Sequence, residues 1–256
     1  MIIESTRNES VKRTRALATK KGRSETGLHF IEGDKLVREA VISGVNFADA
    51  FVEEGHDLMV AILEGAGAKV NIVSRSVMKS LTNTNEPQWV CASVETPSYA
   101  LPLCYPHGLI VVLDGVQDPG NMGTVIRTAD AFAAAGVLIN DTCADPFAPK
   151  PVRASMGSVY HLPIWRGDIA TELDRMAEQK FTAVCGHLEG EETLPEISGD
   201  TALIIGNEGH GVSDIIANKC IKYRLPMYGL AESLNASVAA GILIYEMAKK
   251  INAGGM

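Results

Sequence analysis

The chain has 256 residues, 46 % hydrophobic and 21 % charged, an ordinary globular balance with room for one large domain or two of common size. No apolar run approaches the ~20 residues that cross a bilayer. Residues 1–10 are polar and lack a signal-peptide core. The five cysteines and six histidines are scattered, with no C-x-x-C pair and no H-E-x-x-H. These features argue against a membrane-spanning helix, a disulfide framework and a zinc site, and they lead us to expect a cytoplasmic protein with free thiols.

The net charge of −8, taken alone, argues against a nucleic-acid partner. Its distribution argues the other way. Residues 7–23 carry Arg7, Lys12, Arg13, Arg15, Lys20, Lys21 and Arg23 against the single acid Glu9, while Glu189, Glu191, Glu192, Glu196 and Asp200 gather acid elsewhere. This asymmetry fits a local polyanion contact on an acidic body, and its alternative is a solvated basic helix face.

Residues 10–22 read as a helix bearing that basic face. The short apolar stretch 29–33 precedes a helical pattern at 34–44. A strand is predicted at 48–54, a helix over 57–70 with Gly65 and Gly67 as breakers, a strand at 69–73, a short helix at 74–84 and a strand at 89–95. This alternation suffices for a small α/β domain. Residues 96–107 hold three prolines and no periodicity, which favours extended backbone. The expected organisation is a first domain at 1–96, a linker at 97–107 and a second domain at 108–256.

The second domain alternates more clearly. The continuous apolar run 108–115 predicts a buried strand. A helix follows over 121–136, ended by Gly136, and then a strand at 137–140. A helical turn near 149–157 precedes a strand or extended edge at 159–165, weakened by Pro163. A helix at 169–179 shows Ile169, Leu173 and Met176 on one face. Strands at 181–186 and 201–206, a short helix at 212–220 and a last strand at 222–226 lead to a helix over 234–251. That helix carries Leu234, Val238, Ile242 and Tyr245 on one stripe.

Three segments each follow a predicted strand, where ligands of open α/β sheets sit. In 113–130, Asp118-Pro119-Gly120-Asn121 is turn chemistry opening a helix, with Asn121 a candidate N-cap. Arg127 lies inside the Ala-rich helix, and a surface pair with Asp130 is its bland alternative. In 203–213 the glycines read G-x-x-G-x-G, which fails the dinucleotide fingerprint G-x-G-x-x-G and disfavours a Rossmann enzyme. Gly206 lets a ligand approach the backbone, and Glu208 reads as a capping acid of the turn. In 225–247 a strand ends at Pro226, and Ser233 is the candidate N-cap of the last helix, which places Asn235 in its first turn.

Together these segments resemble a known family. Asn-Met-Gly-Thr-Val-Ile-Arg-Thr-Ala-Asp (121–130), Ile-Gly-Asn-Glu-Gly-His-Gly (205–211) and Leu-Pro-Met…Glu-Ser-Leu-Asn-Ala-Ser-Val-Ala (225–239) are similar to the three motifs of the SpoU (TrmH-type) RNA methyltransferases of the SPOUT superfamily. Asp145-Pro146-Phe147…Lys150…Arg153-Ala154-Ser155-Met156-Gly157 resembles the family too, so the likeness spans about 108–250. Ala133 stands where many members have glycine, and Asn207 where small residues are common. At the other end, Lys12-Arg13…Leu17…Lys20-Lys21-Gly22-Arg23 and His29-Phe30-Ile31-Glu32-Gly33…Leu36-Val37…Glu39-Ala40 resemble the substrate-binding domain fused to many of these enzymes.

The resemblance implies a C-terminal parallel sheet with a trefoil knot, a small N-terminal α/β RNA-binding domain, and methyl transfer from S-adenosylmethionine to a ribose 2′-hydroxyl, in ribosomal RNA given the added domain. It implies cofactor contacts at Gly206, Leu225 and Leu234. Arg127 falls at the reacting hydroxyl, with Asn121, Glu208, Ser233 and Asn235 as the other matched polar positions. Arginine is ordinarily a permanent cation, so Arg127 either has a strongly altered environment and takes the proton, or orients the substrate phosphate. Arg7, Lys12, Arg13, Lys20, Lys21, Arg23 and Arg153 become candidate RNA contacts. A homodimer through the C-terminal domain is also implied; the small residues from Ala236 to Gly241 suit either that interface or packing within one chain. The alternatives are a transfer-RNA methyltransferase and an RNA-binding assembly factor that has lost catalysis, which retention of all five polar positions disfavours.

Overall fold

A threonine splits the helix expected at 10–22. In the computed structural model, which describes residues 2–82, 86–197 and 199–254, helix α1 (Glu9–Ala16) and helix α2 (Lys20–Thr26) are separated at Thr19. The Thr19 hydroxyl donates to the Ala16 carbonyl at 2.9 Å and accepts from the Gly22 amide at 3.0 Å. The side chain thus supplies the bonds a continuous ladder would have made. A Cβ on Gly22 would run into the Ala16 carbonyl, so glycine permits the tight join.

The chain divides into two compact units, one formed by Met1–Pro97 with Asp145–Tyr160, the other by Ser98–Ala144 with His161–Met256. In the first, α2 leads into β1 (Leu28–Glu32), α3 (Asp34–Ile42), β2 (Phe47–Glu53), α4 (Asp57–Gly65), β3 (Val70–Val73), α5 (Arg75–Leu81) and β4 (Val90–Glu95). The last two residues of the helix expected at 74–84 lie outside the described range. The sheet order is β1-β4-β2-β3, with β4 antiparallel to both neighbours and β2 parallel to β3. Phe30, Phe51, Val73, Val77, Met78 and Leu81 fill one core beneath α1.

The second unit begins with residues 98–108, where the Tyr105 ring is buried in the core and its hydroxyl donates to Glu172 at 2.6 Å. Then come β5 (Leu109–Asp114), α6 (Pro119–Ala131) and β6 (Gly136–Ile139). The residues after Ala144 carry α7 (Pro149–Ser155) and count with the first unit. The chain continues through β7 (Ile164–Arg166), α8 (Ile169–Glu178), β8 (Thr182–Glu191), β9 (Thr201–Gly206), α9 (Asp214–Ala217), β10 (Ile221–Tyr223) and α10 (Ala236–Gly254). All six strands run parallel in the order β10-β8-β9-β5-β6-β7. The central strands β5 and β9 are buried on both faces, which is why they read as unbroken apolar runs. Among the described residues, no helix is long and apolar enough to cross a membrane.

Three local expectations change. Residues 158–160 form a 3-10 turn, so the edge strand expected at 159–165 shrinks to β7. Helix α6 stops at Ala131 rather than running to Gly136, which instead opens β6. Its exit passes through Ala133 at φ +55°, a left-handed conformation that glycine adopts without steric cost. Ala133→Gly is therefore expected to raise stability by about 0.5–1 kcal/mol. A thermal midpoint that stays level or falls would refute this.

The third change concerns α10. Its buried residues are Ala240, Leu243, Ile244, Met247 and Ala248, packed on α6, β5 and β9. The stripe of Leu234, Val238, Ile242 and Tyr245 faces solvent, 37 to 51 % exposed. Of the small residues from Ala236 to Gly241 only Ala240 is buried within the chain, and a Cβ added to Gly241 would meet the Thr128 methyl of α6 at an ordinary 3.9 Å.

Candidate functional site

The chain leaves β5 towards β6 and β7 on one side and returns to β8 and β9 on the other. The crevice outside the carboxyl ends of β5 and β9 is therefore the topological switch point, where ligands of such sheets bind. Polar side chains from all three predicted segments meet there.

From the first segment, Asp118 caps α6 by accepting the Asn121 amide at 2.8 Å, with Pro119 opening the helix. Asp118, not Asn121, is the N-cap. Asn121 is instead buried in the first turn, and its Nδ2 donates to Glu208 Oε1 at 3.0 Å. From the second segment, Glu208 also accepts the backbone amides of Gln117 (3.1 Å) and Asp118 (3.0 Å). Partial burial raises its pKa, but the bonds from Asn121 and from backbone amides, including those of Gln117 and Asp118, outweigh it and hold the carboxyl below its ordinary value.

From the third segment, Asn235 Nδ2 donates to Asn121 Oδ1 at 3.2 Å. Its Oδ1 accepts Ser237 N (2.9 Å), Ser237 Oγ (2.7 Å) and Val238 N (3.3 Å). Asn235 is thus the N-cap of α10, the place expected for Ser233. The chain Glu208–Asn121–Asn235 has a fixed sense. An ionised carboxylate only accepts, so Asn121 must turn its amide NH₂ to Glu208 and its oxygen to Asn235.

Gly206 closes β9 where a Cβ would collide with the backbone of Gly211 and Val212, so the loop folds directly onto it. Leu225, half-buried, follows β10. Ser233 and Leu234 stand in the exposed loop 228–235, and among the described residues the Ser233 hydroxyl has no hydrogen bond. Arg127 is exposed on α6. Asp130, its bland partner, instead bonds His161 Nδ1 at 2.7 Å, and among the described residues the Arg127 guanidinium has no hydrogen bond or ion pair. The structure thus joins Asn121, Glu208 and Asn235 directly and leaves Arg127 and Ser233 outside that chain.

Sequence reasoning missed a second polar set at the same strand ends. Asp114 accepts Asn140 Nδ2 (2.9 Å) and the amide and hydroxyl of Ser213 (2.9 and 2.8 Å), while Asn207 Nδ2 donates to the Gly115 carbonyl (2.7 Å). The available signal was position alone: Asp114 ending a strand, Asn140 and Asn207 directly after one and Ser213 ahead of a short helix, which also describes ordinary turns and caps.

In the first unit, Arg7, Lys12, Arg13, Arg15, Lys20 and Lys21 are exposed. Lys12 pairs with Glu9, Arg13 with Asp49 and Lys21 with Glu25, at 3.2, 3.0 and 3.7 Å. The Lys12–Glu9 and Lys21–Glu25 pairs are exposed and contribute only about 0–1 kcal/mol, so those cations stay available to a polyanion, whereas Arg13 is exposed itself but held by the buried carboxylate of Asp49. Arg153 is half-exposed and bonds Glu32 at 3.1 Å. Arg23 is a correction to the sequence reading. It is only 8 % exposed, and its guanidinium is committed to Asp145 Oδ2 (2.9 and 2.7 Å) and to the Leu17 carbonyl (2.8 Å). It serves the fold rather than an RNA contact.

Comparison with known proteins adds independent findings. The SpoU rRNA Methylase family model matches residues 108–245, and the MRM3-like substrate binding domain matches residues 8–92. A Bacillus subtilis (strain 168) relative, 23S rRNA (guanosine(2553)-2'-O)-methyltransferase RlmP, is 36 % identical over 96 % of this chain and 98 % of its own. An AdoMet-bound rRNA methyltransferase from Sinorhizobium meliloti superposes with TM-score 0.84 at 35 % identity, covering 97 % of both chains. The SpoU methyltransferase AviRb from Streptomyces viridochromogenes, also solved with AdoMet, gives 0.83 at 27 %, covering 95 % of this chain and 98 % of its own.

Proposed function

This chain belongs to the SpoU rRNA methylase family, and from that premise we propose that it methylates a ribose 2′-hydroxyl of ribosomal RNA. It is an S-adenosylmethionine-dependent RNA methyltransferase. The carrying observation is the Glu208–Asn121–Asn235 chain beside the backbone turn at Gly206, at the sheet's switch point. The ribosomal target rests on the substrate-binding match over 8–92 and on the name of the Bacillus subtilis relative. The same matches support RNA recognition by 1–96 and catalysis by 108–256, with the family's trefoil knot in the catalytic part; the linker 97–107 joins them in sequence and from Ser98 on packs with the catalytic part.

S-adenosylmethionine supplies a methyl group on a positively charged sulfur. The residues present fit it: the turn at Gly206 has no room for a side chain and offers backbone groups, and Leu225 and Leu234 supply apolar surface. Arg127 acts at the ribose hydroxyl or its phosphate. Asn235 and Asn121 transmit the anchoring of Glu208 to the start of α10, and Ser233 lies just ahead of that cap. Arg7, Lys12, Arg13, Lys20, Lys21 and Arg153 contact phosphates, adding sequence-independent, salt-sensitive affinity. The enzyme works in the cytoplasm as a homodimer through its C-terminal domain. The exposed apolar face of Phe132, Val238, Ile242 and Tyr245 supports that dimer, with Phe132 and Tyr245 in edge contact at 5.5 Å.

The test is a map of ribose methylation in total RNA with and without the gene. One 2′-O-methyl group is expected to vanish from ribosomal RNA. Its disappearance from transfer RNA instead would reassign the substrate, and no lost site would overturn the reading.

A further inference from the structure

Between Gly206 and Glu208 stands Asn207, whose amide works in two directions. Its Oδ1 accepts the amides of Gly209 (2.8 Å) and His210 (3.2 Å), and its backbone pairs both ways with Gly211 at 2.9 Å, closing the loop 207–211 on itself. Its Nδ2 reaches out of the loop to the Gly115 carbonyl at 2.7 Å, in the turn after β5. Gly115 has φ +74°, and its own amide is held by Asn140 Oδ1 at 3.2 Å. Asn140 also donates to Asp114, whose other carboxylate oxygen takes the amide and hydroxyl of Ser213. The segment 207–213 is therefore clasped at both ends to Asp114 and Gly115.

We propose that Asn207 is a positioning residue, whose tether to Gly115 sets the placement of the Gly206 turn relative to the Glu208–Asn121–Asn235 chain. This rests on the methyltransferase reading, in which Gly206 faces the methyl donor. Glu208 already fixes the loop from the α6 side through three N–H groups. Without the Asn207 tether the β5–β9 ladder still ends at Asp114 and Gly206, but the loop beyond it is held only by Glu208 and by the Ser213–Asp114 bonds, so the turn leaving Gly206 shifts away from Gly115. In-line transfer needs donor and acceptor aligned, and a misplacement of about 1 Å costs on the order of a hundredfold in rate.

Two substitutions separate loop closure from tethering. Asn207→Ser keeps an oxygen for the closing amides but is too short to reach Gly115. Asn207→Asp keeps the closing oxygen and sets a carboxylate oxygen against the Gly115 carbonyl. With unmethylated RNA from a strain lacking the gene, kcat is expected to fall about tenfold in Asn207→Ser and about a hundredfold in Asn207→Asp. The calorimetric Kd for S-adenosylmethionine should weaken in the same order, with thermal midpoints near wild type. Wild-type kcat and Kd in Asn207→Asp would overturn the proposal, as would equal losses in both variants that track a lowered midpoint. If the wild-type chain transfers no methyl group, the functional reading falls separately. Amide exchange over 207–213 then still decides the tether: it should quicken in Asn207→Asp, and unchanged exchange would dismiss it.

Discussion

Arg127→Ala is expected to lower kcat for RNA methylation by at least about a hundredfold while leaving S-adenosylmethionine affinity within about twofold. The asymmetry follows from where Arg127 lies. It is exposed on α6 with no partner among the described residues, whereas Gly206 belongs to a different segment of the site. A guanidinium with no partner among the described residues contributes little to the fold, so the melting temperature should hardly move. Arg127→Lys sharpens the test. Lysine keeps the charge but loses the planar fork, so a large loss there marks bidentate holding of a phosphate, and substantial retention marks a role for charge alone. Radiolabelled methyl incorporation measures both variants, and a near wild-type rate for Arg127→Ala would sink the assignment.

Acid is expected to destabilise the first unit, through His29. This residue on β1 is fully buried, sharing hydrogen bonds with Thr96 Oγ1 (3.2 Å) and the Tyr160 hydroxyl (2.7 Å). Burial pushes its pKa down to about 3 from the ordinary 6.5; nearby Asp145 opposes the shift and Arg23 adds to it. Between pH 6.5 and 3 the unfolded chain binds a proton that the folded chain refuses. Stability therefore falls as pH drops through that window, by up to about 1.4 kcal/mol per pH unit, and is fully present above it. His29→Gln should be less stable at neutral pH, yet its urea midpoint should depend less on pH between 6 and 4, by roughly one proton's worth. Equal slopes for the two proteins would refute this account.

The site was legible in part because its segments announce themselves locally. Gly206 at a strand end, Asp118-Pro119 opening a helix and Asn235 ahead of the small residues of α10 are turn and cap chemistry wherever they occur. Which side chain performs the cap was not legible. Asn121 lost that role to Asp118 because Glu208 offers it a partner 87 positions away, and Asn235 took the role of Ser233 while also reaching Asn121. Asn207 read as a departure from a small-residue position, and its value shows only once β5 and β9 lie side by side.

By itself the sequence determined the α/β alternation, the buried parallel strands and the glycine turns beyond them. These follow from periodicity and backbone preference within a few residues, which any fold must respect. Only the tertiary structure decided how longer-range choices fell. Arg23 looked like its basic neighbours, yet Asp145, distant in sequence, turned it into a buried ion pair. Helix α10 offers apolar residues on more than one face, and packing on α6, β5 and β9 chose Leu243, Ile244 and Met247 to go inward while Val238, Ile242 and Tyr245 stayed out. The physical reason is common to both. Burial and charge pairing depend on which surfaces meet, and a side chain's own chemistry does not specify its neighbour.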